Sequence, residues 1–176
     1  DGLAVFWWRG RPVAQAWPRA AADGPGTGQV DAETLSKVAA EERQAQPAGQ
    51  DASVVICTRD RPQELQRCLA SLPRQTLRPS EVIVVDNASR DGRTREVALA
   101  AGAIYVREDR PGLDIARNTG ARRARSSIVA YTDDDVLLHA TWLDRLVAAF
   151  DAPQIGAVTG LVLPAELVTE AQRHFE

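Results

Sequence analysis

The sequence predicts an α/β fold built on a largely parallel sheet with helices on both sides. Short, continuously apolar runs rich in Val and Ile recur between Ser53 and Leu163. Stretches with apolar residues at helical spacing lie between them, and Gly, Pro, Asn and Asp mark the joints. Strands that lack polar alternation are buried on both faces, which is the condition of a parallel sheet covered twice. The 176 residues are 44% hydrophobic and 26% charged, enough for one domain with a real core.

The first 50 residues form an N-terminal extension of different character. Leu3–Trp8 and Val13–Trp17 suit a short hairpin around Arg9-Gly10-Arg11-Pro12. Asp31 caps a helix running to about Gln44, and residues 46–50 read as a linker. The α/β domain occupies residues 51–176. Its first strand is Ser53–Cys57. A helix over Pro62–Leu72 follows, with Pro62 in its first turn and Leu65, Cys68, Leu69 and Leu72 on one face. Glu81–Val85 is the second strand, and a helix over Asp91–Ala101 is stopped by Gly102. Ala103–Val106 and Ser127–Thr132 are further strands, separated by a helix over Asp114–Arg125. Ala140–Phe150 makes a helix with Trp142, Leu143, Leu146, Val147 and Phe150 inward. Ile155–Leu163 is expected to be a last strand.

Composition excludes several classes. A balance of 21 basic against 24 acidic side chains gives no positive field for nucleic acid. No run approaches the roughly 18 apolar residues of a membrane span. Cys57 and Cys68 lie in apolar patterns where a buried, reduced thiol is expected, which makes the cytoplasm the expected compartment. The chain starts at Asp1 and contains no methionine, so it reads as an internal piece of a longer protein.

Ligands of such sheets bind beyond the carboxyl ends of the strands. Three polar segments should therefore meet there: Thr58-Arg59-Asp60-Arg61, Asp86-Asn87-Ala88-Ser89 and Asp133-Asp134-Asp135. Adjacent carboxylates at a strand end repel one another unless a cation or donor compensates them. On extended backbone Asp133 and Asp135 point one way and Asp134 the other. Two oxygen ligands on one side suit Mn²⁺ or Mg²⁺. The competing reading is a solvated loop with one acid capping the next helix. Asp86 is able to accept hydrogen bonds from a nucleobase or ribose, with Asp91 left to cap the helix. Arg59 or Arg61 suits a base or diphosphate at the first turn, unless one of them pairs with Asp60. Arg117 can offset phosphate charge, and Asn118 can order the loops around it. His139 suits either a metal or a helix start. No Gly-rich turn follows the first strand, which excludes a dinucleotide fingerprint, a P-loop and a nucleotidyltransferase.

Four segments, SVVICTRDRPQELQRCLASL, EVIVVDNASRDG, PGLDIARNTGARRA and IVAYTDDDVLLHATWL, resemble in this order and spacing the family 2 glycosyltransferases. The match spans about Ser53 to Leu163. It implies a Rossmann-like GT-A sheet and transfer of a sugar, with inversion, from a UDP, GDP or dTDP donor to an unknown acceptor. By position Thr58 resembles the base-contacting residue and Asp86 the aspartate that holds the nucleobase. Asp133-Asp134-Asp135 is similar to the DXD motif. Asp135 is then the main ligand of Mn²⁺ or Mg²⁺, with Asp133 and Asp134 orienting ribose and metal-bound water and Asp133 a second ligand. Arg61 and Arg117 lie near the diphosphate. The resemblance also places the catalytic base beyond Glu176, which makes this chain a donor-binding half truncated before the acceptor half. The alternative is a glycosyltransferase-like domain that binds nucleotide or a partner without chemistry.

Overall fold

The computed structural model describes residues 51–165, and by their backbone Ala4–Trp8 and Arg11–Ala16. The expected helix over Asp31–Gln44 lies outside the described residues, as does Glu176. The chain divides into two units, Pro47–Val158 and a second formed by Asp1–Gln46 with Thr159–Glu176.

In the second unit β1 (Ala4–Trp8) and β2 (Arg11–Ala16) pair antiparallel, as the hairpin reading requires. The second strand starts two residues earlier than expected and takes in Pro12. Both strands of an isolated hairpin are edges, so the missing N–H is tolerated. Phe6 faces Ala14 while Trp7 faces Pro12, which leaves Val13 as a bulge.

The first unit carries a four-stranded sheet. Its strands are β3 (Ala52–Thr58), β4 (Glu81–Asn87), β5 (Ile104–Glu108) and β6 (Ile128–Asp133), in the order β5-β4-β3-β6. Every pairing is parallel. The helices between them are α1 (Pro62–Ser71), α2 (Arg93–Ala100), α3 (Leu113–Arg123) and, after β6, α4 (Trp142–Ala148).

The pleat sorts the apolar side chains into two cores. Val54, Ile56 and Val84 pack with Leu65, Cys68 and Leu69 of α1, Ala98 of α2 and Leu143 and Val147 of α4. Val55, Ile83 and Val85 face the other way, onto Ala116 of α3. The reason is handedness. The connections through α1 and α2 step from β3 to β4 to β5 in one direction, and the connection through α3 returns past them to β6. Right-handed crossovers in opposite directions place their helices on opposite faces. The reversal also puts the switch point of the sheet between β3 and β6, where a crevice opens.

Gly120 lets α3 lie close to the sheet. A Cβ there would stand 2.3 Å from Val55 Cγ1 and 3.2 Å from Val85 Cγ2. Gly102 takes φ +73°, the left-handed stop that ends α2.

Two expectations fail. Ile155–Leu163 forms no strand, and Leu161 and Val162 are 53% and 82% exposed. Gly156 and Gly160 interrupt the run, and glycine weakens a strand by entropy and by offering nothing to pack. Leu143 and Val147 of α4 are buried, whereas Trp142 and Leu146, and Phe150 beyond the helix end, are only partly so. The helix spans Trp142–Ala148, too short to turn all five apolar side chains inward.

Candidate functional site

The three polar segments do meet at the carboxyl edge. Register fixes this, because Thr58 lies opposite Asp86 and Cys57 opposite Asp133. A cleft of about 350 Å³ opens there. Cys57, Thr58, Arg59 and Arg61 line it together with Asn87, Leu113, Asp133, Asp134 and Asp135.

Each aspartate of the triplet has its own counterpart. Asp133 is the last residue of β6 and faces α3, where Arg117 Nη2 stands 3.4 Å from its Oδ1. Asp134 turns to the α1 side. Its Oδ2 accepts the Thr58 hydroxyl at 2.6 Å, and its Oδ1 lies 3.0 Å from Arg61 Nη1. Asp135 Oδ2 takes the other arm of the same guanidinium at 2.9 Å. The alternation expected of extended backbone thus stops at Asp133. The chain turns, and Asp134 and Asp135 share one cation instead of Asp133 and Asp135 sharing one side. Their exposures differ: the Asp134 side chain is 6% exposed, Asp135 49% and Asp133 64%. Burial pushes the Asp134 carboxyl up, against the Thr58 hydrogen bond and the Arg61 charge that pull it down.

Asp86 reaches the right strand end but is sealed. It is fully buried; Oδ1 accepts the Ser89 N–H at 2.9 Å, and Oδ2 takes the Tyr105 hydroxyl at 2.7 Å and Arg107 Nη1 at 3.1 Å. Burial alone would raise this carboxyl, yet those hydrogen bonds and the Arg107 charge outweigh it and hold it below the ordinary range. The expectation of a carboxylate free for a ligand is corrected by the length of β5. That strand runs to Glu108 rather than Val106, and its register sets Arg107 opposite Asp86. Asp91 does not cap α2: the helix begins after Gly92 with no side-chain cap, and Asp91, one residue earlier, accepts the Arg93 N–H at 3.1 Å.

The loops are tied by residues that the sequence reading passed over. Asn87 Oδ1 accepts the Gly112 N–H at 2.8 Å and its Nδ2 donates to the Arg110 carbonyl at 2.8 Å. Asn87, not the exposed Asn118, therefore orders the turn into α3. Glu108 accepts from Arg110 Nε at 2.9 Å and from the Thr119 hydroxyl at 2.7 Å, and these donors lower its pKa to about 2. Asp60, in the left-handed region at φ 56°, accepts from the backbone and side chain of Arg90 rather than from Arg59 or Arg61. The Tyr105-Val106-Arg107 alternation was the available signal for a strand long enough to cover Asp86.

His139 lines no part of the cleft; its Nδ1 accepts the Thr141 N–H at 3.4 Å at the start of α4. Cys68 is buried and Cys57 half-buried, and burial pushes the thiols up to about 12 and about 11.

A doubly covered parallel sheet with an acidic strand end and an arginine at its switch point defines an α/β domain with its ligand cleft at the carboxyl edge. Residues 53–174 match the model of glycosyl transferase family 2, and the chain belongs to that family. Among curated relatives, the chain is 34% identical over 118 residues to the glycosyltransferase AglE of Haloferax volcanii, covering 62% of this chain and 38% of that protein. It is 37% identical over 109 residues to validoxylamine A glucosyltransferase of Streptomyces hygroscopicus subsp. limoneus, covering 57% and 24%. The chain therefore spans well under half of either relative. The mannosyltransferase PcManGT from Pyrobaculum calidifontis, solved with GDP-Man and Mn²⁺, superposes with a TM-score of 0.51 at 27% identity, over 69% of this chain and 41% of that one. Glucosyl-3-phosphoglycerate synthase from Mycobacterium tuberculosis, solved with Mn²⁺, UDP and glucosyl-3-phosphoglycerate, shares the fold, with a TM-score of 0.52 at 24% identity over 73% and 47%. Among the described residues, no helix is long and apolar enough to cross a membrane.

Proposed function

We propose that this chain is the donor-binding part of an inverting, metal-assisted glycosyltransferase that takes its sugar from a nucleoside diphosphate. One observation carries the reading: three carboxylates at the end of β6 and Arg61 line one cleft at the switch point, with Arg117 3.4 Å from Asp133. The relatives that are named as glycosyltransferases, and the neighbour bound to GDP-Man and Mn²⁺, support it.

The donor set fits a hard divalent cation. It is all oxygen, and among the described residues Asp135 Oδ1 and Asp133 Oδ2 accept no hydrogen bond. The described side chains hold no cluster of three or more metal-ligating groups, so the remaining ligands are expected from donor oxygens and water. Asp135 is the main ligand and Asp133 the second. When bound, Mn²⁺ or Mg²⁺ supplies Lewis-acid stabilisation of charge on the diphosphate leaving group.

The chain's own residues do the rest. Thr58 and Asp134 form the floor on which the nucleoside rests, and Asp86 lies beside Thr58 on the neighbouring strand. Arg61 and Arg117 offset diphosphate charge from two sides of the cleft. Asp133–Asp135 are the carboxylates that line the cleft among the described residues, and all three have donor-side roles. The base that takes the acceptor's proton comes from elsewhere in the protein.

Calorimetric titration with UDP, GDP and dTDP sugars, in Mn²⁺ and then in EDTA, tests this directly. One nucleotide should bind, only with metal, and Asp135→Ala should abolish it. Equal binding in EDTA, or undiminished binding by the Asp135→Ala chain, refutes the metal assignment.

A further inference from the structure

We propose that Arg61 is an internal counter-cation that competes with the divalent metal for Asp135. Its transfer to the donor diphosphate then makes metal and nucleotide binding depend on each other. The inference rests on the donor-site reading above and adds the order and coupling of binding.

The geometry of Arg61 is that of a bridge. One planar guanidinium spends Nη1 on Asp134 Oδ1 at 3.0 Å and Nη2 on Asp135 Oδ2 at 2.9 Å. Such a fork matches two carboxylates at once, which a lysine ammonium does not do with fixed geometry. The backbone of Arg61 is anchored: its carbonyl accepts the Leu65 N–H at 3.1 Å, and Pro62 follows as the first residue of α1. The side chain beyond that anchor is 46% exposed, so it can swing without disturbing the helix.

A cation bound at Asp135 contends with this guanidinium for the same carboxylate. Arg117 makes a similar but longer contact, 3.4 Å, to Asp133. Without donor, a metal ion on Asp135 contends with Nη2 for that carboxylate and leaves Arg61 its Asp134 contact alone, beside a second positive charge. With donor, the diphosphate offers the displaced guanidinium a new bidentate partner. Metal and diphosphate therefore help each other, and by linkage the factor is the same in both directions. Arg59 provides the contrast. It lines the same cleft with the same charge, but among the described residues it makes no ion pair.

The test measures Mn²⁺ affinity from the spin-resonance signal of the free ion, with no nucleotide and with UDP, GDP or dTDP. Wild type, Arg61→Met, Arg61→Lys and Arg59→Met are compared, each checked for native unfolding behaviour. Wild type should bind Mn²⁺ weakly alone and roughly fivefold or more tighter with the matching nucleotide. Arg61→Met should bind Mn²⁺ alone roughly fivefold or more tighter than wild type and gain little from nucleotide. Arg61→Lys should fall between, and Arg59→Met should match wild type. Equal Mn²⁺ affinity of Arg61→Met and wild type overturns the inference and leaves the donor-site reading intact. Equal tightening in Arg59→Met also overturns it, since removal of charge rather than release of a carboxylate would then be the cause. Failure of every chain to bind Mn²⁺ with any nucleotide overturns the metal reading itself.

Discussion

The seat of α3 on the sheet is the feature most open to a quantitative test, through Gly120→Ala. The added Cβ would lie 2.3 Å from Val55 Cγ1, where carbon atoms prefer about 3.5–4.0 Å. The clash demands a displacement of about 1.2 Å or more. Val55 and Val85 are fully buried and β-branched, with little rotamer freedom to yield. The helix must therefore move outward. Overpacking of this kind costs about 1–3 kcal/mol, offset by up to about 1 kcal/mol from the better helix propensity of alanine. The net expectation is a loss of about 1–2 kcal/mol, read from urea unfolding, with a melting point lower by roughly 4–10 °C. Displacing α3 also carries Arg117 away from Asp133, so donor affinity should fall with stability. Val55→Ala removes the opposing methyls, and in that background the alanine at 120 should be neutral or stabilising, a coupling of at least about 1 kcal/mol. A Gly120→Ala chain more stable than wild type refutes the close-packing argument, because propensity would then act unopposed.

Two further outcomes can be checked. The donors around Glu108 lower its carboxyl to about 2 in the folded chain against an ordinary 4.5, so its contribution is present above the higher value and disappears as pH falls toward the lower. Glu108→Gln should flatten the decline in unfolding free energy between about pH 5 and 2; an unchanged slope would mean the Arg110 and Thr119 contacts do not form. Val162→Asp should leave the sheet unit within about 0.5 kcal/mol of wild type in urea, since Val162 is 82% exposed. A loss above about 1 kcal/mol would restore the buried strand that Ile155–Leu163 was expected to form.

The sequence determined what local chemistry can specify. Val54, Val55 and Ile56 without polar alternation mean a strand covered on both faces, and Pro62 before Leu65, Cys68 and Leu69 means a helix with one buried side. Four such alternations fix the direction of the strands, and direction places Thr58, Asp86 and Asp133 at one edge. The family likeness lay in the same residues. The partners of the site residues were not legible, because pairing is set by register and by where each strand ends. Two extra residues on β5 bring Arg107 over Asp86 and seal it. The end of β6 at Asp133 sends Asp134 and Asp135 to Arg61, across 74 positions in the case of Asp135. No spacing rule reaches contacts so distant in the chain, and a one-residue difference in strand length turns a side chain from the cleft to the core. The sequence by itself determined the sheet, its polarity and the edge where a ligand belongs. Only the tertiary structure decided which carboxylates remain open to that ligand and which arginine stands before them, because long-range register, not local propensity, brings those charges together.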